Sequence, residues 1–287
     1  MKITEIIGSD KRTLSFEVFP PKNSNNYESI RSAIDKIARL HPSYMSVTYG
    51  AGGSTAQYTA QIASNLKSKD VEPLAHLTCV HMNKDNIHST LDDFMNRGIE
   101  NILALRGDIP DGMDKSTLEY AHASDLIADI KEYAPDLCIG GACYPEIHPE
   151  SSSIEADVRA LKMKQESGCE FLTTQLFFDN DVFYNYMYRL LKVGVSIPVI
   201  PGIMPITRVP QLKNVFKLSG SSYPLKFRKL VETFGDDPEA MKQAGIAYAT
   251  EQIVDLYANG FKAVHVYSMN MPDVASAIRD NLSYILS

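Results

Sequence analysis

Short strand-like runs alternate with longer helical patterns about eight times along the chain, and this alternation restricts the fold more than any other feature of the sequence. The strand candidates are 14–19 (LSFEVF), 44–50, 73–80, 101–107, 138–144, 171–178, 198–203 and 263–268. Helical stretches lie at 27–40, 55–69, 83–97, 116–133, 153–167, 180–193, 208–218, 238–259 and 272–286. Many of them open on residues suited to a helix start: Ser54 or Thr55, Asn83, Ser116, Ser152 or Ser153, Asn180, Thr207 and Pro272. Regular alternation of this kind implies parallel strands joined by right-handed crossovers. About eight such units in 287 residues match the TIM (β/α)8 barrel in count and size. An open doubly wound sheet is the competing arrangement, but its GxGxxG turn after a first strand is missing. No linker, repeat or charge block divides the chain, so residues 1–287 are expected to form one domain, with 219–237 as an inserted lid or extended loop.

Composition excludes several classes. With 44% hydrophobic and 22% charged residues the chain has the make-up of a globular protein. A formal net charge of -7 has the wrong sign for a partner that is nucleic acid or an anionic membrane, while leaving room for a local basic pocket. Cys79, Cys138, Cys143 and Cys169 form no CxxC pair and lie mostly in apolar runs, which points to reduced, buried thiols and a cytoplasmic setting. The N-terminus has no signal-peptide apolar region, and no window reaches the ~18 apolar residues of a membrane span.

Barrel enzymes carry their chemistry at the C-terminal strand ends, and side chains alternate between the interior and the surrounding helices. If Phe16 and Val18 face the helices, Ser15, Glu17 and Phe19 face inward. The same parity sends Ser46 and Thr48, His76 and Thr78, Thr173, Gln175 and Phe177, and His265 and Tyr267 inward. The fourth strand ends in Arg106, Gly107 and Asp108. Two carboxylates, an arginine, an amide and histidines exceed what a purely structural core tolerates, and catalysis explains them economically. A metal site is not expected: His76, Cys79 and His81 are close in sequence, but alternation separates His76 from Cys79. The turn Gly50–Ser54 is either an anion nest or a tight strand-to-helix loop, and Tyr144–Pro149 sets two rigid prolines around potential ligand contacts.

Together these strand ends resemble the methylenetetrahydrofolate reductase family of one-carbon metabolism. The matching segments are SFEVFPPK (15–22), SVTYGAGGS (46–54), AHLTC (75–79), LALRGDIP (103–110), CYPEIHPE (143–150), LKMKQESGCEFLTTQLFFD (161–179) and PGIMPI (201–206), in the family's order. The resemblance implies a barrel that binds FAD and reduces methylenetetrahydrofolate to methyltetrahydrofolate with hydride from NADH or NADPH. It implies Glu17 as the catalytic glutamate, Asp108 beside flavin and pterin, and Gln175 as a substrate contact. For the flavin the matching positions are Tyr49, Ala51, His76, Arg106, Gly107, Asp108, Ala123, Tyr144, His148, Asp157 and Lys164, with Thr48 nearby in the nicotinamide and folate pocket. It also favours a homo-oligomer, with a partner subunit possible in short members of the family.

Two positions depart from that pattern. Met271 stands where bacterial relatives carry an arginine that helps hold the second substrate, and Val209 where they place a phenylalanine that packs on it. Within this reading Glu17, buried among Phe16, Phe19 and the flavin, is expected to stay protonated and to act as the acid that opens the methylene bridge to an iminium. Asp108, near Arg106, is expected to stay ionised and to stabilise that cation. The alternatives are a flavin-free pterin-binding methyltransferase barrel, a flavoprotein subunit using a partner-supplied donor, and a non-catalytic subunit.

Overall fold

A computed structural model describes residues 1–21, 26–49, 56–109, 112–114 and 118–287. The candidate Ala51, the rest of Gly50–Ser54, Thr55 and Ser116 lie outside the described residues. The strands are β1 (Thr13–Val18), β2 (Met45–Val47), β3 (Pro73–Thr78), β4 (Asn101–Leu105), β5 (Cys138–Cys143), β6 (Phe171–Thr174), β7 (Val199–Ile200), β8 (Gly202–Ile203) and β9 (Ala263–Tyr267). The helices are α1 (Ile3–Ile7), α2 (Tyr27–Ala38), α3 (Ala56–Lys67), α4 (Lys84–Asn96), α5 (Ala123–Tyr133), α6 (Ile154–Glu166), α7 (Asn180–Lys192), α8 (Pro210–Ser219), α9 (Leu225–Phe234), α10 (Pro238–Ala258) and α11 (Pro272–Asn281). Two of the expected caps act as such, with Asn83 accepting from the Asn86 N–H and Ser153 from the Ala156 N–H.

All strand pairs are parallel, in the order β7-β6-β5-β4-β3-β2-β1-β9-β8. The run read as one strand at 198–203 is split at Pro201, which has no N–H to give the ladder. Its first half pairs with β6 and its second with β9, while the Pro201 carbonyl accepts the His265 N–H at 2.9 Å. The two outer members of the sheet are thus one interrupted strand, and the TIM barrel closes.

Parity on the strands is largely as the sequence implies. Phe16, Val18, Met45, Val47, Leu77, Cys79, Leu172, Val264 and Val266 belong to the apolar layer between barrel and helices. Parity fails after Thr174, where β6 ends: Phe177 lies in that outer layer, stacked on Phe183 at 5.2 Å, and Leu176 joins a separate apolar cluster. The Leu176 N–H donates back to Gln175 Oε1 at 2.9 Å, so the chain turns here and two-residue alternation no longer applies.

The floor of the barrel holds Tyr44, Leu74, Leu103, Cys138, Phe171 and Ile200, stoppered by Ile3 and Ile7 of α1. This short helix was not expected from the sequence; its Ile3 N–H is held by Asn101 Oδ1 at 2.8 Å. The stretch 219–237, expected to be an irregular lid, contains α9. Phe227 of α9 stacks on Phe178 at 4.6 Å, in a cluster with Ile206, Leu212 and Met241 that covers the rim beyond β6 and β8. The four cysteines are free and buried, and no helix among the described residues is long and apolar enough to cross a membrane.

This rim depends on one close approach. A Cβ at Gly245 of α10 would lie 1.8 Å from the Ile206 carbonyl oxygen, a backbone atom with no rotamer to yield. Gly245→Ala should therefore destabilise the protein by about 1–3 kcal/mol, seen as a lower urea midpoint with little change in slope. An unchanged midpoint would mean that α10 and the segment after β8 separate freely.

Candidate active site

Inside the barrel, above the apolar floor, the inward residues turn polar. Ser15 Oγ lies 2.7 Å from His265 Nδ1, and Ser46 Oγ lies 3.0 Å from His265 Nε2. Ser46 Oγ also donates to Glu17 Oε2 at 3.4 Å, which makes a continuous chain from Ser15 through His265 and Ser46 to the Glu17 carboxyl. Parallel registers create it, with Ser15 beside His265 and Glu17 beside Ser46 on adjoining strands. His76 approaches from β3, its Nε2 3.6 Å from Glu17 Oε2 and without a hydrogen-bond partner. Tyr44 stacks under the His265 ring at 5.7 Å.

Burial sets the charge of this group. Glu17 is 8% exposed, and loss of water raises its pKa to about 8 against the weaker opposing effect of the Ser46 hydroxyl. Burial likewise pushes both His76 and His265 down to about 3. A protonated carboxyl therefore faces two neutral imidazoles at neutral pH, and their proximity is not an ion pair. Of these residues, His265, Ser15 and Ser46 were legible only as inward-facing; the connected chain appears once register is known.

A cavity of about 470 Å³ opens over the C-terminal ends of β3 to β5. It brings together nine of the flavin candidates: Tyr49, Arg106, Gly107, Asp108, Ala123, Tyr144, His148, Asp157 and Lys164. Glu17, Thr48, His76 and Gln175 are not among its lining residues. Glu17 and His76 lie within the barrel, Thr48 directly follows β2 and gives its carbonyl to Thr59 Oγ1, and Gln175 directly follows β6. Gly107 adopts φ +89°, a conformation that favours glycine, and a Cβ there would stand 3.0 Å from Val80.

Two cations serve the cavity differently. Arg106 makes a two-pronged contact to Glu150, with Nη1 and Nη2 each 2.9 Å from a carboxylate oxygen. Sequence reasoning did not anticipate that partner. Lys164, drawn inward by α6, donates Nζ to the Ala142 carbonyl at 2.7 Å and pairs with no carboxylate among the described residues. Burial holds its pKa below the usual lysine value. A half-buried lysine whose ammonium is hydrogen-bonded to a carbonyl and in no close ion pair, opening on a cavity, fits an anionic ligand such as a diphosphate.

The neighbouring loop is preassembled. Asp157 Oδ1 accepts from Ser151 Oγ at 2.7 Å and from the His148 N–H at 3.4 Å, so in this structure it braces the segment that carries His148. Tyr144 and His148 meet edge to face at 4.6 Å. Burial raises the Tyr144 hydroxyl pKa and lowers that of His148. Among the described residues no group of three or more His, Cys, Asp or Glu could hold a metal ion. Of the two departures noted above, Met271 caps α11 with its sulfur 4.0 Å from Thr207 Oγ1, and Val209 is 37% exposed at the start of α8.

Comparison with known proteins finds relatives over nearly the whole chain. The family described as methylenetetrahydrofolate reductase matches residues 2–283. The 5,10-methylenetetrahydrofolate reductase of Escherichia coli is 34% identical over 266 residues, covering 92% of this chain and 88% of the relative. Methylenetetrahydrofolate reductase (NADH) 1 of Zea mays is 35% identical, and the chain spans about half, 50%, of that longer relative. Among solved structures, a Clostridium thermocellum protein described as binding two copies of 5-methyl-5,6,7,8-tetrahydrofolic acid superposes with a TM-score of 0.71 at 15% identity, over 99% of this chain and 100% of that one. At that identity the likeness speaks for the fold.

Proposed function

The chain belongs to the methylenetetrahydrofolate reductase family, and from that membership we propose that it reduces methylenetetrahydrofolate to methyltetrahydrofolate, drawing electrons from reduced nicotinamide through FAD. The observation that carries this reading is the buried Glu17 carboxyl, held protonated within the barrel, in a chain whose strand ends open on a cavity lined by Arg106 and Lys164. Bound FAD would accept hydride from the nicotinamide and deliver it to the folate. NADH is taken as the donor because the plant relative is named for it. The reading treats residues 1–287 as one catalytic domain in a reducing, cytoplasmic compartment, assembled as a homo-oligomer.

The residues divide the work by environment. Lys164 and Arg106 would hold the cofactor's diphosphate, with Gly107, Ala123, Tyr49, Tyr144 and His148 shaping the cavity around it. Glu17 would give its proton to the nitrogen that leaves the methylene bridge, a transfer open only to a carboxyl that is protonated at working pH. The Ser46, His265 and Ser15 chain fixes the carboxyl's orientation and can return a proton to it through exchange of hydroxyl and imidazole hydrogens. Asp108 would stabilise the cationic iminium, and Gln175 and Thr48 would contact the folate or nicotinamide.

Purification tests the reading directly. The protein should bind about one FAD per chain and be yellow; a colourless protein that takes up no FAD on incubation would favour the flavin-free methyltransferase reading. The pH dependence follows from Glu17. Folate-driven reoxidation should be level below about pH 8 and fall about tenfold per unit above it, as the acid ionises. The stability linkage has the same direction: protonation favours the folded state, so the contribution is full below the ordinary carboxylate value and is lost as pH rises through about 8. Stopped-flow traces across pH 6–10 check the first statement, and a profile that rises through this range would reassign the acid.

A further inference from the structure

The ladder between β1 and β9 ends with Glu17 opposite Tyr267. Past that pair side chains take over the fastening. Ser268 Oγ donates to the main-chain carbonyl of Glu17 at 2.7 Å. Asn270 Oδ1 accepts the Phe19 N–H at 2.9 Å while its Nδ2 donates to the Phe19 carbonyl, also at 2.9 Å. One side-chain amide thus supplies the donor and the acceptor that a neighbouring strand would have offered. Pro20 and Pro21 follow, and neither has an N–H to give, so the Phe19 N–H is the last main-chain donor of this run.

Asn270 reaches this position through a costly turn. Met269 and Asn270 have φ of +52° and +54°, both left-handed, and the Met271 N–H closes the turn on the Ser268 carbonyl at 2.9 Å. Asparagine tolerates this region, but Met269, 40% exposed, does not belong to the residues that visit it readily. Such a conformation persists only where surrounding contacts impose it, and it gathers at functional sites. Here the imposing contacts run from Ser268 and Asn270 to the end of β1.

We infer that Asn270, assisted by Ser268, is a positioning residue for the proton donor: it pins the end of β1 and so sets where the Glu17 carboxyl stands in the barrel. This rests on the folate reading above. Within the barrel the carboxyl accepts only a long contact from Ser46 Oγ, 3.4 Å, which orients it but holds it weakly. Its place is therefore set mainly by the backbone that carries it. On one side the Thr48 N–H holds the Val18 carbonyl at 3.0 Å, and on the other Ser268 and Asn270 hold Glu17 and Phe19. A proton donor must come within about 2.6–3.2 Å of the atom it serves, and a displacement of about 1 Å can cost about 100-fold in rate.

The test uses the flavin-loaded protein and follows the flavin band in two separate reactions, reduction by NADH and reoxidation by methylenetetrahydrofolate. In Asn270→Gly the left-handed turn is retained, because glycine accepts that φ freely, and the amide contacts to Phe19 are lost. Reoxidation at saturating folate should slow by about 10- to 100-fold while reduction stays within about threefold. Added to Glu17→Gln, the same change should slow reoxidation by less than about threefold further, since a strand end without its acid has no proton donor to position. Ser268→Ala, a smaller change, should slow reoxidation by at least about threefold with reduction unaffected, and it carries the test if Asn270→Gly does not fold. The inference is overturned if both steps slow alike, if the folded variant reoxidises as fast as the unaltered protein, or if the losses from Asn270→Gly and Glu17→Gln multiply. Failure of the folate to reoxidise the unaltered protein removes the folate reading itself, and the inference with it.

Discussion

Glu17→Gln should leave reduction of the flavin by the nicotinamide donor within about tenfold, ~1.4 kcal/mol in barrier, while folate-driven reoxidation falls by ~100- to 10,000-fold. On the proposed reading, hydride transfer to a bound flavin would need no proton from this side chain, whereas opening the methylene bridge would require one. Gln is close in shape to the protonated Glu17 and can still accept from Ser46 Oγ, so the packing around His76 and His265 should persist. The replacement is mild because Glu17 is uncharged at neutral pH in its buried setting; an ionised glutamate would have lost a charge as well as a proton. Stopped-flow at the flavin band separates the two steps, mixing oxidised protein with donor and reduced protein with folate. Equal slowing of both would make Glu17 a structural support, and slowing of neither would move the acid to Asp108.

Lys164→Ala should weaken FAD binding by about 10- to 100-fold, the effect of losing a charged hydrogen bond of ~1.5–3 kcal/mol. The unfolding midpoint of the flavin-free protein should move much less. Burial lowers the lysine's pKa and its ammonium has the Ala142 carbonyl as hydrogen-bond partner with no close ion pair, so removing it relieves a desolvation cost while sacrificing the packing of its stem. Fluorescence titration of stripped protein with FAD, run beside urea unfolding of the same sample, checks both halves. Unchanged FAD affinity with a large drop in midpoint would show that Lys164 serves the fold by bracing the end of β5.

The difference between these two residues shows how far the sequence reaches. Glu17 could be placed inside the barrel from the alternation of Phe16 and Val18 alone, because that test needs only the two-residue period of a strand. Lys164 has no such period to report it: it lies on a helix, and its role depends on α6 packing across β5 so that the side chain enters the cavity. Glu150 is more remote still, since its contact with Arg106 joins two loops 44 residues apart.

The amino-acid order by itself determined the barrel and its handed, parallel connection, because regular strand and helix periods leave few other ways to bury both apolar faces. It also determined which strand residues face inward, as far as each strand lasts. Tertiary structure decided where strands stop, as at Thr174 and Pro201, that α1 closes the floor, and that α9 is a helix packed through Phe227 and not a loose lid. It alone set the charge state of the site. A carboxyl and two imidazoles have ordinary acidities in a chain surrounded by water. Only burial at the centre of the closed barrel keeps Glu17 protonated and His76 and His265 neutral, because an ion's loss of solvation depends on everything packed around it.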